Sequence, residues 1–353
     1  MQIDIIPLDT LFFRDGKPFS MGDEVWASGI FPPPPSVLYG AIRTGYFASY
    51  PAEISKAAGY YATPTEFEAD PTTKLAITGL ALKHGKGDRY FPVPADLLST
   101  KESDKPIRLK RQVRPALSSG KLSHVLKAET IAEPYANGSM LSYSNLKSYL
   151  WGDEVDRFQV KSPSFFRIGE GKTGIARSAH TGSAKEGHLY RVEMLRLKND
   201  VSILCELEGL DIEGPMLKLG GEAKAVRMEA SEQKILPPKV DVDGEMFKLY
   251  LASPAIFSQG WLPAWVDTET LEGTIPQTGT KVRLLAAAVG KPAYLGGFDL
   301  KGRKFKPMRR VVPAGAVYHF EVLAGPSPLG LHGQSISDKL PEQGFGITFI
   351  GQA

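Results

Sequence analysis

The chain opens on an alternation. Ile3 and Ile5 are apolar while Gln2 and Asp4 are polar, and this period of two predicts a strand over 2–8. A different pattern follows. Pro32 to Pro35 bar a helix, and Ser36 then offers a side-chain oxygen for an N-cap. Val37, Leu38, Ala41, Ile42 and Gly45 share one helical face, so a helix is expected over 37–50. Strand patterns recur at 74–82 and 89–94, on either side of a Gly85-Lys86-Gly87 turn. The stretch 105–150 has no dominant period. Two apolar runs, 188–197 and 201–209, flank Asn199-Asp200, which suits a hairpin turn. A short helix is expected to start near Ile212, and 219–230 reads as a glycine turn leading into a strand.

The polar stretch 231–245, with Pro237-Pro238 inside it, reads as a link between domains at 1–235 and 246–353. Beyond it, 247–257, 282–290, 310–322 and 346–351 are strand-like, with little room for long helices. The order strand, helix, strand, strand, with a later return strand, predicts an α+β fold with helices on one face of an antiparallel sheet. No short repeat is present.

Composition narrows the chemistry. The single cysteine, Cys205, excludes an internal disulfide and a cysteine-based zinc site. The first twenty residues lack the basic start and apolar run of a signal peptide, and no long apolar run spans a membrane; a cytoplasmic protein is expected. The six histidines show no metal-ligand spacing, so no metal or other cofactor is expected. Gly169-Glu170-Gly171-Lys172-Thr173-Gly174 imitates a dinucleotide fingerprint and a P-loop. Phe166 stands where a P-loop needs its first glycine, and no apolar helix follows, so the stretch reads as a flexible basic loop.

Net charge is only +3, from 42 Lys+Arg against 39 Asp+Glu. The cations are nonetheless concentrated. The stretch 105–121 holds six basic residues and no acid, and 301–310 holds six in ten. Such local excess fits a polyanion, because each neutralised phosphate releases counterions. Arg167, Lys172, Arg177, His180 and Lys185 form a looser third set, and Phe12, Phe13, Phe19 and Trp26 are candidates for stacking on bases.

Several stretches together resemble a known family. They are LDTLFFRDGKPFSMG (8–22), FPPPPSVLYGAIRT (31–44), LGGEAKAVR (219–227), SPAIFSQGWLP (253–263), LGGFDLKGRKFKPMRRVVPAGAVYHF (295–320) and EQGFGITFIG (342–351). The whole chain is similar to the CRISPR-associated RAMP proteins, most of all the third subunit of the Cmr (type III-B) effector complex. It departs mildly from that pattern at Phe298 and Ala316. The resemblance implies two ferredoxin-like (RRM-like) domains with β-rich insertions and long loops. It implies a non-catalytic subunit that binds the 5′ repeat-derived handle of CRISPR RNA. The implied protein partners are the large polymerase/cyclase-like subunit and a neighbouring backbone RAMP subunit, with no membrane. The implied RNA contacts are Lys17, Arg43, Arg177, Lys185, Arg303, Lys304, Lys306, Arg309 and Arg310, with Gly344, Phe345 and Gly346 forming a loop whose bare backbone lets phosphate approach. Two other readings stay open. One is a metal-independent endoribonuclease using His84, His180 or His188 as base, and the other is a scaffold that meets only protein.

Overall fold

The computed structural model describes residues 1–14, 26–27, 29–100, 103–115, 120–178, 180–242 and 245–353. It is strand-rich, with several antiparallel sheets and few helices. The main elements are β1 (Gln2–Pro7), α1 (Pro35–Ser49), β2 (Ala76–His84), β3 (Asp88–Pro92), α2 (Tyr143–Trp151), β4 (Arg167–Arg177), β5 (Ala184–Leu197), β6 (Val201–Glu208), β7 (Met216–Leu219) and β8 (Lys224–Ala230). The second half adds β9 (Met246–Leu251), β10 (Lys281–Ala288), β11 (Ala293–Asp299), β12 (Lys304–Val311), β13 (Val317–Ala324) and β14 (Thr348–Gln352).

Two sheets repeat one plan. In the first, β2, β6, β1 and β8 lie side by side, extended by β3 and short strands beyond β2 and by β7 beyond β8. In the second, β10, β13, β9 and β14 take the same order. Each time the opening strand sits between the third and fourth, and the second strand runs parallel to the first with the third between them. α1 makes the first-to-second connection of the first sheet. Residues 252–280 make that connection in the second sheet without an α-helix.

Local chemistry explains most elements and several departures from expectation. α1 begins at Pro35, not after it, and Ser36 is not its cap. A proline at the first helical position loses no hydrogen bond, since that amide is unpaired in any helix. The face expected to be apolar is the buried one, with Leu38, Ala41, Ile42 and Gly45 inside. Residues 143–151, unassigned from periodicity, form α2. Ser142 accepts from the Asn145 amide at its start, and Gly152 closes it at φ 89°. No helix forms near Ile212, because Gly214 (φ 94°) and Pro215 lead directly into β7. Asn199-Asp200 does form a turn, with Val201 N–H donating to Lys198 O at 3.1 Å, but it is not a hairpin. β5 pairs with β4, while β6 enters the first sheet between β1 and β2. β6 is buried at nearly every position, and such a strand needs neighbours on both edges and cover on both faces. The glycine stretch 169–174 is likewise no loop. It lies inside β4 and pairs with β5 from Arg167↔Leu197 to Ile175↔Leu189, forming a long ribbon.

One buried cluster joins the two sheets. Ala81, Phe91, Leu146, Leu150 and Leu204 pack with Tyr250, Val317, Ile347 and Phe349 of the second half. A polar group lies within it. Lys248 on β9 is 2% exposed, and its Nζ donates to Tyr149 O in the last turn of α2 at 2.6 Å. The same ammonium sits 3.7 Å from the centre of the Tyr149 ring. Tyr149 Oη donates to the buried Asp96 carboxylate at 2.7 and 2.8 Å. Burial lowers the Lys248 pKa to about 7, and the nearby Arg108 charge adds to this while Asp96 opposes it. Gly351 lets α2 come this close, since a Cβ there would stand 2.7 Å from Leu150 O.

His319 on β13 lies beside this group, its Nε2 4.0 Å from Asp96 Oδ2. Burial, followed by the charges of Lys248, Arg111 and Arg108, holds its pKa down to about 3. An unfolded histidine takes its proton near pH 6.5, before the folded one does. The stability this group contributes is therefore complete above about pH 6.5 and is lost as pH falls toward 3. The unfolding free energy read from urea denaturation is expected to fall between pH 7 and pH 5 by about 2 kcal/mol more for the wild type than for His319→Gln.

Candidate nucleic-acid interface

The two basic stretches fare differently once folded. In the first, the fold brings in acids that the local sequence lacks. Lys110 pairs with Glu129 at 2.8 Å, Lys121 pairs with Glu269 at 2.6 Å, and Arg108 donates to the carbonyls of Gly152 and Asp153. In the second, the six cations of 301–310 make no ion pair among the described residues.

That second stretch forms the turn and return strand of the β11–β12 hairpin, with Arg303 at the turn (φ 48°). Strand alternation divides its side chains between two faces. Lys304, Lys306 and Arg309 face the segment 57–61 of the first half. Lys304 Nζ lies 5.9 Å from the Tyr61 ring centre and Lys306 Nζ 5.6 Å from that of Tyr60. Arg309 Nη2 donates to Tyr60 Oη at 2.5 Å. Lys301 Nζ donates to Ala57 O at 2.7 Å, and Tyr61 Oη donates to Phe305 O at 2.9 Å. The buried Asp299 accepts from the Tyr60 amide at 3.2 Å.

Arg43 comes to the same place from α1, and the structure changes its expected role. Its Nε donates to Thr72 Oγ1 at 2.7 Å, and its Nη2 donates to Ala58 O at 3.1 Å and pairs with Asp70. The guanidinium therefore ties α1 to 58–72 and is not a free RNA ligand, although its charge still acts on its surroundings. Burial alone would raise the Asp70 pKa, but hydrogen bonds from Thr72 and the Ala58 amide, with the Arg43 charge, hold it below the ordinary value. Half-buried Lys306 is pushed down by burial. Asp299 opposes this and Arg43 reinforces it. Arg43, Lys306 and Arg309 thus converge around Tyr60, with Asp70 and Asp299 as the balancing carboxylates.

The remaining candidates are not gathered there. Arg177 is exposed at the tip of the β4–β5 ribbon, where its Nε donates to Gly182 O at 2.8 Å. Lys185 lies on β5, and its side chain falls outside the described residues, as do Lys17, Phe19 and the side chain of Trp26. Gly344, Phe345 and Gly346 are buried. The Gly346 amide donates to Pro254 O at 2.8 Å, and Phe345 packs with Ile256 and Val311 under the hairpin. This loop does not expose its amides to phosphate. Its glycines permit close packing instead: a Cβ on Gly344 (φ 89°) would meet Ile77 of β2 at 2.8 Å, and one on Gly346 (φ 73°) would meet the Ser337 amide at 2.5 Å. Phe13 is a core residue at 2% exposure, not a stacking platform. His84 packs against the Phe165 ring.

Sequence reasoning missed Tyr60 and Tyr61, which position the hairpin. Paired tyrosines between Gly59 and Ala62 were the available signal. A cleft of about 1450 Å³, lined by Leu82, Tyr90, Trp261 and Leu262, reaches the base of the hairpin at Ala293, Leu295 and Val311 and includes none of the expected contact residues. Among the described residues no group of three His, Cys, Asp or Glu could hold a metal. Among the described residues no helix is long and apolar enough to cross a membrane.

A strand-rich chain of several mostly antiparallel sheets, with cations gathered where its halves meet, is by sequence a CRISPR-associated protein. It belongs to the CRISPR-associated protein (Cas_Cmr3) family, whose model matches residues 3–353. The fold is shared with a chain in the cryo-EM structure of the type III-B Cmr-beta bound to cognate target RNA. That match has a TM-score of 0.53 and 17% identity, and covers 90% of this chain and 86% of that one. The same assembly with target RNA and AMPPnP, state 1, gives a TM-score of 0.52 and 15% identity at the same coverage. No curated protein matches the sequence significantly.

Removing Arg43 leaves the Asp70 carboxylate buried without its ion partner. Arg43→Met is expected to lower stability by about 3 kcal/mol, read from urea denaturation, and adding Asp70→Asn is expected to restore part of the loss.

Proposed function

We propose that this chain is a CRISPR RNA-binding subunit of a type III-B effector complex acting in antiviral defence. It holds the 5′ repeat-derived handle and docks against the large polymerase/cyclase-like subunit and a neighbouring backbone RAMP subunit. Its role is binding, and cleavage belongs to other subunits. The carrying observation is the convergence of Lys306 and Arg309, backed by Arg43, at Tyr60. Burial, with the Arg43 charge added, disfavours the Lys306 ammonium while Asp299 opposes them, and a phosphate beside it would supply the opposite charge it lacks. Lys304 and Arg303 extend this positive edge to the hairpin turn, and Arg310 adds charge on the opposite face. Arg177, with Lys185, is a separate contact candidate on the ribbon. Gly344, Phe345 and Gly346 serve the interface by seating the hairpin.

Family membership supports the assignment, and so does the repeated strand order. The orders β2-β6-β1-β8 and β10-β13-β9-β14 are that of a ferredoxin-like sheet, with loops replacing a helix once in the first half and both helices in the second. A soluble cytoplasmic complex is the setting this reading requires.

The test is charge reversal at Lys306 and Arg309 together. Affinity for a handle-bearing RNA is expected to fall 10- to 100-fold, and the salt dependence of binding to flatten by between one and two counterions, roughly 0.7 per phosphate contact on a single strand. Unchanged affinity and an unchanged salt slope would remove this site from the proposal.

A further inference from the structure

The face of the β11–β12 hairpin that points away from Tyr60 and Tyr61 has a different chemistry. Register places Tyr294 opposite Arg310 and Phe298 opposite Phe305. A Cβ on Gly296 would meet Met308 Cε at 3.2 Å, which puts Met308 on that same face. These side chains are open to solvent: Phe305 is 73% exposed, Met308 53%, Tyr294 52% and Phe298 46%, with Leu300 at the turn 80% exposed. Together they form an apolar strip on the order of 500 Å², as large as the biggest such patch on a typical monomer. The inner face, by contrast, is tied down by Lys301, Tyr61 and Arg309, so the strip is presented by a fixed ribbon.

Alternation along β12, with a register shift between Lys306 and Arg309, has put Lys304, Lys306 and Arg309 on the inner face. The outer face is left with aromatic rings, a methionine and one cation, Arg310. Lys291 and Arg303 stand at its ends, and no acid is exposed along 291–311, where the only carboxylate is the buried Asp299. An RNA-binding face would carry cations along its length to meet successive phosphates. Aromatic, methionine and arginine side chains with few lysines are instead the make-up of the centre of a protein–protein contact. The basic ends specify carboxylates on the partner.

We propose that the outer face of the β11–β12 hairpin docks a protein subunit whose matching surface has an apolar centre and an acidic rim. The proposal rests on the reading of this chain as a complex subunit. It then assigns the two faces of one hairpin to different partners, RNA inside and protein outside.

The test compares the wild-type chain with Phe298→Ser/Phe305→Ser/Met308→Ser. All three side chains are exposed, so the variant is expected to keep its thermal midpoint. Each purified subunit of the chain's own effector complex is titrated separately, and a handle-bearing RNA is titrated in parallel. Expected is a loss of 100-fold or more in affinity for one protein subunit, with RNA affinity within twofold of wild type. Arg310→Glu should slow association with that same subunit and weaken its salt dependence. Subunit affinities all within twofold of wild type would overturn the proposal. Selective loss of RNA binding would overturn it in favour of base stacking, and concentration-dependent self-association lost in the variant would identify a second copy as the occupant. If neither protein binds RNA while the subunit contact is lost as expected, the RNA reading fails and this one stands.

Discussion

The ammonium of Lys248 holds the molecule together at its most demanding point. It reaches from the first strand of the second sheet to the end of α2 in the first half, lies over the ring of Tyr149, and shares that tyrosine with buried Asp96. A charge removed from water in this way is costly unless every neighbour is placed for it. The cost is met only when both halves are assembled in one geometry, so the contact sets position more than it adds strength. The cation cluster depends on that geometry, because Arg43 and Tyr60 come from one half and Lys306 and Arg309 from the other.

The chain's charge is informative only once folded. Both basic stretches look alike as sequence. Glu129 and Glu269 neutralise parts of the first from a distance along the chain, while the second meets carbonyls and tyrosines. A net charge near zero thus conceals one region of real excess. Pleating then sorts that excess by face, so that a single run of residues presents cations on one side and apolar rings on the other.

Elements with a strong local signal were legible in the sequence. β1, α1, β2, β3 and the closing strand β14 follow from apolar spacing, and α2 could have been found from Ser142 and Gly152 at its ends. Pairing was not legible, because it is decided at long range. Asn199-Asp200 is a turn by local chemistry, yet the strands on either side enter different sheets, as the burial of β6 on both faces requires. Gly169 to Gly174 imitates a loop by composition, but β5 supplies a partner for its whole length. At the candidate site, cation positions were legible and their use was not. Arg43 carries an arginine's charge wherever it points, and only the proximity of Asp70, Thr72 and Ala58 makes it a brace. Gly344 and Gly346 take left-handed backbone, and the missing Cβ there makes room for Ile77 and Ser337, neighbours that no local pattern names.

The repeated strand order also governs how the chain comes to be made. In the first sheet β1 and β2 run parallel with an empty lane between them, and the strand that fills it, β6, is reached only after more than a hundred further residues. During synthesis both strands wait with open edges while 85–200 emerge from the ribosome. Pairings so distant along the chain close slowly, and open edges invite other chains meanwhile. The second sheet repeats the delay with a shorter gap. Slower synthesis, or a chaperone that shields the edges β6 will fill, acts on that interval rather than on the finished molecule.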